Sequence, residues 1–161
     1  KQDKIHDADL TQAYLSMTQL NDIRNLLGSD VNAIHAATDV TGFGLAGHSY
    51  QMAKASGLSF KIHATHLPVL AHAFDSLKQG CLTKAHRSNR EYIQDQLFID
   101  SYVDEIRQLI FFDPQTSGGL LLSVDSQASS VVAEKIKKTF SQTCVIGEVT
   151  ARQDHSLSYV L

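Results

Sequence analysis

The sequence predicts an α+β domain, and three observations lead to this prediction. Helical and strand-like stretches are mixed along the 161 residues without the strict alternation of a doubly wound α/β fold. Apolar residues make up 43% and charged residues 19%, which is ordinary for a protein with one buried core. The length suits one domain and is short for two. We therefore expect residues 1–161 to form a single layered α/β/α domain around one mixed β-sheet.

The first four elements follow from apolar spacing. A helix is expected over residues 10–27, because apolar residues recur there at steps of three and four and Gly28 can end it. Residues 33–40 are small and nearly neutral, which predicts a short buried strand. A helix is expected at 43–56, and the alternating stretch 58–64 predicts the next strand.

The second half is less regular. Pro68 suits the first turn of a helix that should end near Gly80, whereas the polar stretch 81–92 is expected to be a loop. A weak helical pattern covers 101–110, and 111–124 passes from a turn into an apolar strand. The remaining predictions are a helix at 126–140 and strands at 144–149 and 156–161.

The composition excludes several classes of function. A net charge of −3 without a run of Lys or Arg is not the pattern of a nucleic-acid-binding protein. No apolar stretch has the length of a membrane span, and no signal peptide is recognised. Cys81 and Cys144 are far apart and in no metal-type spacing, so we expect both to be reduced thiols in a cytoplasmic protein.

The stretch 38-TDVTGFGLAGH-48 contains G-x-G-x-x-G, formed by Gly42, Gly44 and Gly47. A dinucleotide-binding fingerprint also needs an acidic residue about twenty positions downstream, and residues 58–72 contain none. Asp39, three residues before Gly42, would moreover repel a bound pyrophosphate. No Gly-Lys-Ser/Thr follows, which excludes a P-loop.

Two interpretations of this motif remain open on chemistry alone. A helix N-terminus attracts anions, and Asp39 can lie beside a phosphate if a divalent cation such as Mg²⁺ is between them. Alternatively, Asp39 or Thr41 only caps the helix. His48, one turn into that helix, is expected to pack or to hydrogen-bond locally rather than to catalyse.

A second loop, 113-DPQTSGG-119, also combines glycines with polar side chains. By itself it predicts a tight turn before a buried strand. Gly118 and Gly119 should shape its backbone, and a positive φ at either would exclude a β-branched residue there.

The histidines do not predict a zinc site. The candidate ligands are His63, His66, His72 and His86. They fall on a strand, in loops and on a helix, so nothing in their spacing brings them together around one metal ion. No spacing of Ser, Cys, His or Asp indicates a nucleophilic centre, and we therefore expect no catalytic residue in this chain.

Taken together, the two loop motifs and the sequences around them are specific enough to indicate a protein family. The stretches 36-AATDVTGFGLAGH-48, 113-DPQTSGGLLLSV-124 and 145-VIGEV-149 resemble the C-terminal domain of selenophosphate synthetase (selenide, water dikinase), in the aminoimidazole-ribotide-synthetase-like superfamily. The lead-in 10-LTQAYLSMTQLNDIRNLL-27 is similar to the helix that opens that domain. The resemblance covers nearly the whole chain, and it implies that residues 1–161 are the C-terminal half of a two-domain enzyme.

The resemblance implies an enzyme that makes selenophosphate from selenide, ATP and water and releases AMP and phosphate. In that family the reactive Cys or selenocysteine, its partner Lys and most nucleotide-binding residues belong to an N-terminal domain that is absent here. The partners implied are that domain, ATP and selenide, with the full-length protein a homodimer. The isolated half should be inactive. The alternatives are a stand-alone binding or regulatory module, or another ATP-dependent enzyme of the superfamily.

The family motif also implies roles for individual residues. Asp39 matches the family's metal ligand, which reaches the ATP phosphates through Mg²⁺. The cofactor-binding residues carried over are Thr38, Thr41, Gly42, Gly44 and Asn89. The region 80-GCLTKAHRSN-89 departs from the family, because it keeps Gly80 and Asn89 but little of the glycine- and threonine-rich stretch between them.

Overall fold

The computed structural model describes residues 7–161, apart from the side chains of residues 8 and 9. The helices are α1 (Asp7–Thr18), α2 (Arg24–Leu27), α3 (Gly44–Ser56), α4 (Ala73–Lys78), α5 (Lys84–Ile93), α6 (Glu105–Phe112) and α7 (Ser129–Lys137). The strands are β1 (Ile34–Asp39), β2 (Ser59–His63), β3 (Leu97–Ile99), β4 (Leu120–Val124), β5 (Gly147–Thr150) and β6 (Leu157–Val160). Within the described residues, no helix is long and apolar enough to cross a membrane.

The strands form two sheets. The larger has the order β3-β6-β2-β5, with β6 parallel to both neighbours and β5 antiparallel to β2. The smaller is the antiparallel pair β1-β4. The predicted α+β class and mixed sheet are therefore confirmed, but the strands do not all join one sheet. Apolar patterning identifies strands and says nothing about which strands pair, so the division into two sheets was not visible in the sequence.

Each sheet has its own apolar core. The larger core joins β2 and β6 to helices α3, α5 and α6, and its buried residues are Ala46, Ala53, Phe60, Ile62, Ala64, Ile93, Val103, Phe111, Phe112, Leu157 and Tyr159. The rings of Phe111 and Tyr159 stack there with centroids 4.1 Å apart. The smaller core is built on Leu27, Val132 and Ile136, which pack α2 and α7 against the β1-β4 pair.

Several sequence predictions differ from the structure. The single helix expected over 10–27 is interrupted, because α1 ends at Thr18 and α2 begins at Arg24. The helix expected from Pro68 covers only Ala73–Lys78, and strand β3 was not predicted.

The loop expected at 81–92 is a further difference, since helix α5 occupies Lys84–Ile93. Thr83 begins it with a reciprocal capping box, in which the side chains of Thr83 and His86 each accept a backbone N–H. Its buried residues are His86, Asn89 and Ile93, so two of the three that face inward are polar. An apolar helical pattern is therefore absent, which is why the sequence was interpreted as a loop.

Candidate functional site

The two polar loops meet at one end of the β1-β4 pair. The first loop (residues 40–43) follows β1, and the second loop (residues 113–119) precedes β4. The backbone of Val40 bonds to both glycines of the second loop, as its N–H donates to Gly119 O over 2.9 Å and its carbonyl accepts from Gly118 N over 3.1 Å. Gln115 N also donates to Thr41 O over 3.1 Å. These bonds continue the β1-β4 ladder, in which Asp39 pairs with Leu120.

Gly44 allows the closest approach between the two loops. Its φ is +67°, and a Cβ added there would lie 2.8 Å from Asp113 O and 3.0 Å from the carbonyl carbon of Phe112. Only glycine combines this backbone conformation with that contact. Gly44 is also the first residue of α3, so the helix begins directly against the start of the second loop.

Asp39 is exposed at the end of β1. Its Oδ1 accepts a hydrogen bond of 2.7 Å from the side-chain amide of Asn21, in the connection between α1 and α2. Among the described residues, no side chain caps α3, whose N-cap position is Phe43. The capping interpretation of Asp39 and Thr41 is therefore wrong, because the chain makes a further turn between these residues and the helix.

The Thr41 hydroxyl instead pairs with His48, with 3.0 Å between Oγ1 and Nε2. His48 is 8% exposed, and burial lowers its pKa, with the nearby Asp39 carboxylate opposing the shift. The ring is consequently neutral at neutral pH and lies edge-on to Phe43, with centroids 6.0 Å apart. The expectation that His48 packs and bonds locally is confirmed.

Helix α5 lies beside both loops, and sequence reasoning missed most of its contribution. Asn89 is 4% exposed, and its Nδ2 donates to Gly42 O over 2.9 Å and to Phe112 O over 3.0 Å. One turn earlier, His86 Nε2 lies 3.1 Å from Asp113 Oδ1, although the N–H is not aligned for a good hydrogen bond. Burial raises the pKa of Asp113, and His86 opposes this shift. Thr83, a residue type favoured at helix N-caps, was the sequence signal that could have revealed this helix.

In the second loop, the residue with a left-handed backbone is not a glycine. Neither Gly118 nor Gly119 has a positive φ, and Ser117 has the left-handed conformation instead, with φ of 49°. Gly118 is constrained by space, because a Cβ there would lie 2.5 Å from Val40 O. The same added atom at Gly119 would have nothing within 4 Å.

The structure therefore places the predicted site residues in two groups. One group lies at the end of β1 and in the first loop, and we call this segment the rim; it contains Thr38, Asp39, Thr41 and Gly42. The rim leads directly into Gly44 at the start of α3. Asn89 lies behind that rim, and both of its amide hydrogens bond to backbone carbonyls. The histidines remain scattered, apart from His63 and His66, whose ring centroids are 5.0 Å apart.

The donor chemistry at Asp39 fits part of a magnesium site. Within the described range, no three side chains of His, Cys, Asp or Glu form a group that could hold a metal ion. Mg²⁺ is commonly held by one or two carboxylates, with phosphate oxygens and water completing its shell. Asp39 is exposed and can supply one such carboxylate, so the arrangement suits a shell completed by groups from outside this chain.

Comparisons with known proteins support the family resemblance that the sequence motifs carry. Residues 1–160 match the family described as "AIR synthase related protein, C-terminal domain". The chain is 41% identical over 160 residues to selenide, water dikinase from Nitrosomonas eutropha, covering 99% of this chain and 46% of that protein. It is 39% identical to selenide, water dikinase from Bdellovibrio bacteriovorus, covering 99% of this chain and 45% of that protein. The chain thus spans about half the length of these curated relatives.

Two solved structures share the fold. The hydrogenase maturation protein HypE superposes with a TM-score of 0.52 at 17% identity, covering 83% of this chain and 34% of that chain. A HypE-HypF complex gives a TM-score of 0.52 at 20% identity, covering 92% of this chain and 43% of that chain. The predicted fold and superfamily are confirmed, and the chain belongs to the family of AIR synthase related proteins as their C-terminal domain.

Proposed function

We propose that this chain is the C-terminal half of a selenide, water dikinase, which makes selenophosphate from selenide, ATP and water and releases AMP and phosphate. Identities of 41% and 39% to two proteins of that name, over nearly the whole chain, support the proposal. The observation that carries it is the exposed carboxylate of Asp39, held at the junction of the two loops.

In this proposal Asp39 supplies one ligand to Mg²⁺, and the other half of the protein and the ATP phosphates supply the rest. The bound cation would offset negative charge at the phosphoryl group that is transferred. Asn21 occupies Asp39 Oδ1 through a hydrogen bond, which leaves Oδ2 free of that bond and able to face a ligand. Helix α3 begins at Gly44, and the positive end of its dipole favours an anion near this N-terminus.

The remaining rim residues would shape the cleft. The close contact at Gly44 and the bonds of Val40 and Thr41 to the second loop hold the backbone around Asp39 in one arrangement. The Thr41 hydroxyl is held by His48, and its second lone pair or its proton remains available to a phosphate oxygen or water. Asn89 donates a hydrogen bond to the carbonyl of Gly42 in the first loop. In this proposal it shapes the cofactor site by holding that backbone in place.

The proposal is tested by Asp39→Asn in a protein that carries both halves. Asparagine keeps the size and removes the charge, so the fold should survive while selenide-dependent AMP formation falls by about 100-fold or more. Asp22→Asn is the matched control, since Asp22 is also exposed and is next to Asn21 in sequence. Its turnover should stay within about twofold of the wild type, as surface charges outside a site have small effects.

Near-normal turnover of Asp39→Asn would refute the role given to Asp39. A wild-type protein with both halves and no selenide-dependent AMP formation would refute the activity itself. In that case a binding module or a different phosphoryl acceptor would have to be considered.

A further inference from the structure

Asn21 joins the two loops through a single amide group. Its Nδ2 donates to Asp39 Oδ1 over 2.7 Å and to Gly118 O over 2.8 Å. A side-chain amide has two donor hydrogens, so both are used. The residue is half-buried and lies where the expected long helix is interrupted between α1 and α2. The interruption places a polar side chain against the end of β1.

Asn89 makes the same kind of connection on the other side. Its amide joins Gly42 O of the first loop to Phe112 O, directly before the second loop. Each asparagine therefore bridges the segment around Asp39 to the segment that contains residues 112–118. The difference is that Asn89 contacts only backbone, whereas Asn21 contacts the carboxylate itself.

This difference gives Asn21 a specific role. An exposed aspartate can turn about its side-chain bonds, but a donor fixed to a second backbone position restricts it. The distance of 2.7 Å is in the range of charge-assisted hydrogen bonds, which are stronger than neutral ones. The second anchor, Gly118, is itself held in place, because its N–H donates to Val40 O over 3.1 Å.

We propose that Asn21 is a positioning residue, which orients the Asp39 carboxylate relative to the second loop so that Oδ2 is presented in one direction. The consequence for metal binding rests on the proposed function. The bridge between the loops does not, and it can be tested without any activity.

The bridge is tested by hydrogen–deuterium exchange on the 161-residue chain. In Asn21→Ala, the amides of Gln115 and Gly118 should exchange at least about fivefold faster, because both lie in the segment that Asn21 holds. The amides of Phe60 and Asp100, which bond within the larger sheet region, should be unchanged. Asn25→Ala is the matched control, as Asn25 is an exposed asparagine on the adjacent α2.

A second variant separates donation from shape. Asn21→Asp keeps the shape of the side chain but replaces the donor by an acceptor, so it should exchange at least as fast as Asn21→Ala at Gly118. The bridge would be overturned if the exchange rate at Gly118 were unchanged in both variants. It would also be overturned if the rate at Phe60 rose as much as the rate at Gly118. The bridge would also be overturned if Gly118 exchanged at the wild-type rate in Asn21→Asp but faster in Asn21→Ala, because hydrogen-bond donation by residue 21 would then be irrelevant.

The orientation of Asp39 is tested in a protein that carries both halves, with Mg²⁺ itself as the probe. Asn21→Ala should raise the Mg²⁺ concentration for half-maximal turnover by about tenfold, as loss of an outer contact to a ligand does. The KM for selenide should change little, because Asn21 acts only through Asp39. A loss of thermal stability with unchanged Mg²⁺ dependence would assign Asn21 a purely structural role and overturn the proposal. If the wild type forms no AMP with selenide, the proposed function fails, while the exchange experiment still decides on the bridge.

Discussion

Gly42 and Gly44 lie two positions apart in the same motif, yet the structure gives them different constraints. Gly44 has φ of +67° and its added Cβ would meet the backbone of Asp113 and Phe112. Gly42 lacks a positive φ and would have nothing within 4 Å of the added atom. The sequence alone could not distinguish them, because both fit the same G-x-G pattern.

Gly44→Ala is therefore expected to lower the free energy of unfolding by about 1–3 kcal/mol, from backbone strain and the contact with Asp113 O together. Gly42→Ala, the matched control, should stay within about 0.5 kcal/mol of the wild type. Denaturant unfolding of the two variants measures the difference. Equal stabilities would show that the second loop moves away from Gly44 at little cost.

In the second loop, the same comparison separates Gly118 from Gly119. Gly118→Ala should destabilise the protein by about 1–3 kcal/mol, because its Cβ would lie 2.5 Å from the backbone oxygen of Val40. Gly119→Ala has open space and should change the unfolding free energy by less than about 0.5 kcal/mol. Thermal melting of both variants checks this, and a stable Gly118→Ala would contradict it. The reason for glycine at this position is space and not a positive φ.

At the scale of elements, α5 contributes most of what the sequence did not reveal. The strand β1, the helix α3 and the strand β4 were predicted nearly where they occur, because their apolar or glycine patterns are local. Helix α5 turns His86 and Asn89 inward, and the partners of these side chains in and next to the two loops are more than twenty residues away in the chain. A polar residue that is buried by distant partners looks like a loop residue in the sequence. Asn21, which the sequence placed inside a helix, was overlooked because its partners Asp39 and Gly118 are also distant in the chain.

The contact of α5 with the second loop predicts a pH dependence. Burial raises the pKa of Asp113, so the folded protein holds that proton more tightly than the unfolded chain does. This contribution to stability is present at acidic pH, and it is lost as the pH rises from the unfolded pKa through the raised folded pKa. Asp113→Asn cannot ionise, so its unfolding free energy relative to the wild type should increase as the pH rises above about 4, the ordinary pKa of an aspartate.

Denaturant unfolding at several pH values measures that difference. His86 opposes the shift, and in the His86→Phe background the dependence on Asp113 should become steeper. A relative stability of Asp113→Asn that falls with rising pH would mean that pairing with His86 outweighs burial.

For the whole molecule, the candidate site lies where the chain passes between its two cores. The first loop leads from β1 of the smaller sheet into α3 of the larger core, and the second leads from α6 of the larger core back into β4. The contacts at Gly44, Asn21 and Asn89 therefore set how the two cores meet as well as how Asp39 is presented. The motif residues were recognisable from the sequence, but this placement follows only from the strand pairing.

If the proposed function holds, the 161 residues alone should neither bind Mg²⁺ tightly nor catalyse the reaction, because they supply only one side of the site. One carboxylate is a weak site for Mg²⁺, a cation that gives up its water reluctantly. The purified chain should therefore show no change in melting temperature beyond about 1 °C when millimolar Mg²⁺ is added, since stabilisation requires the ligand concentration to exceed its dissociation constant. It should also form no AMP that depends on selenide, whereas the protein with both halves should do so and lose this activity in Asp39→Asn. Selenide-dependent AMP formation by the 161 residues alone would contradict the shared site, because every group needed for the reaction would then have to lie within this one domain.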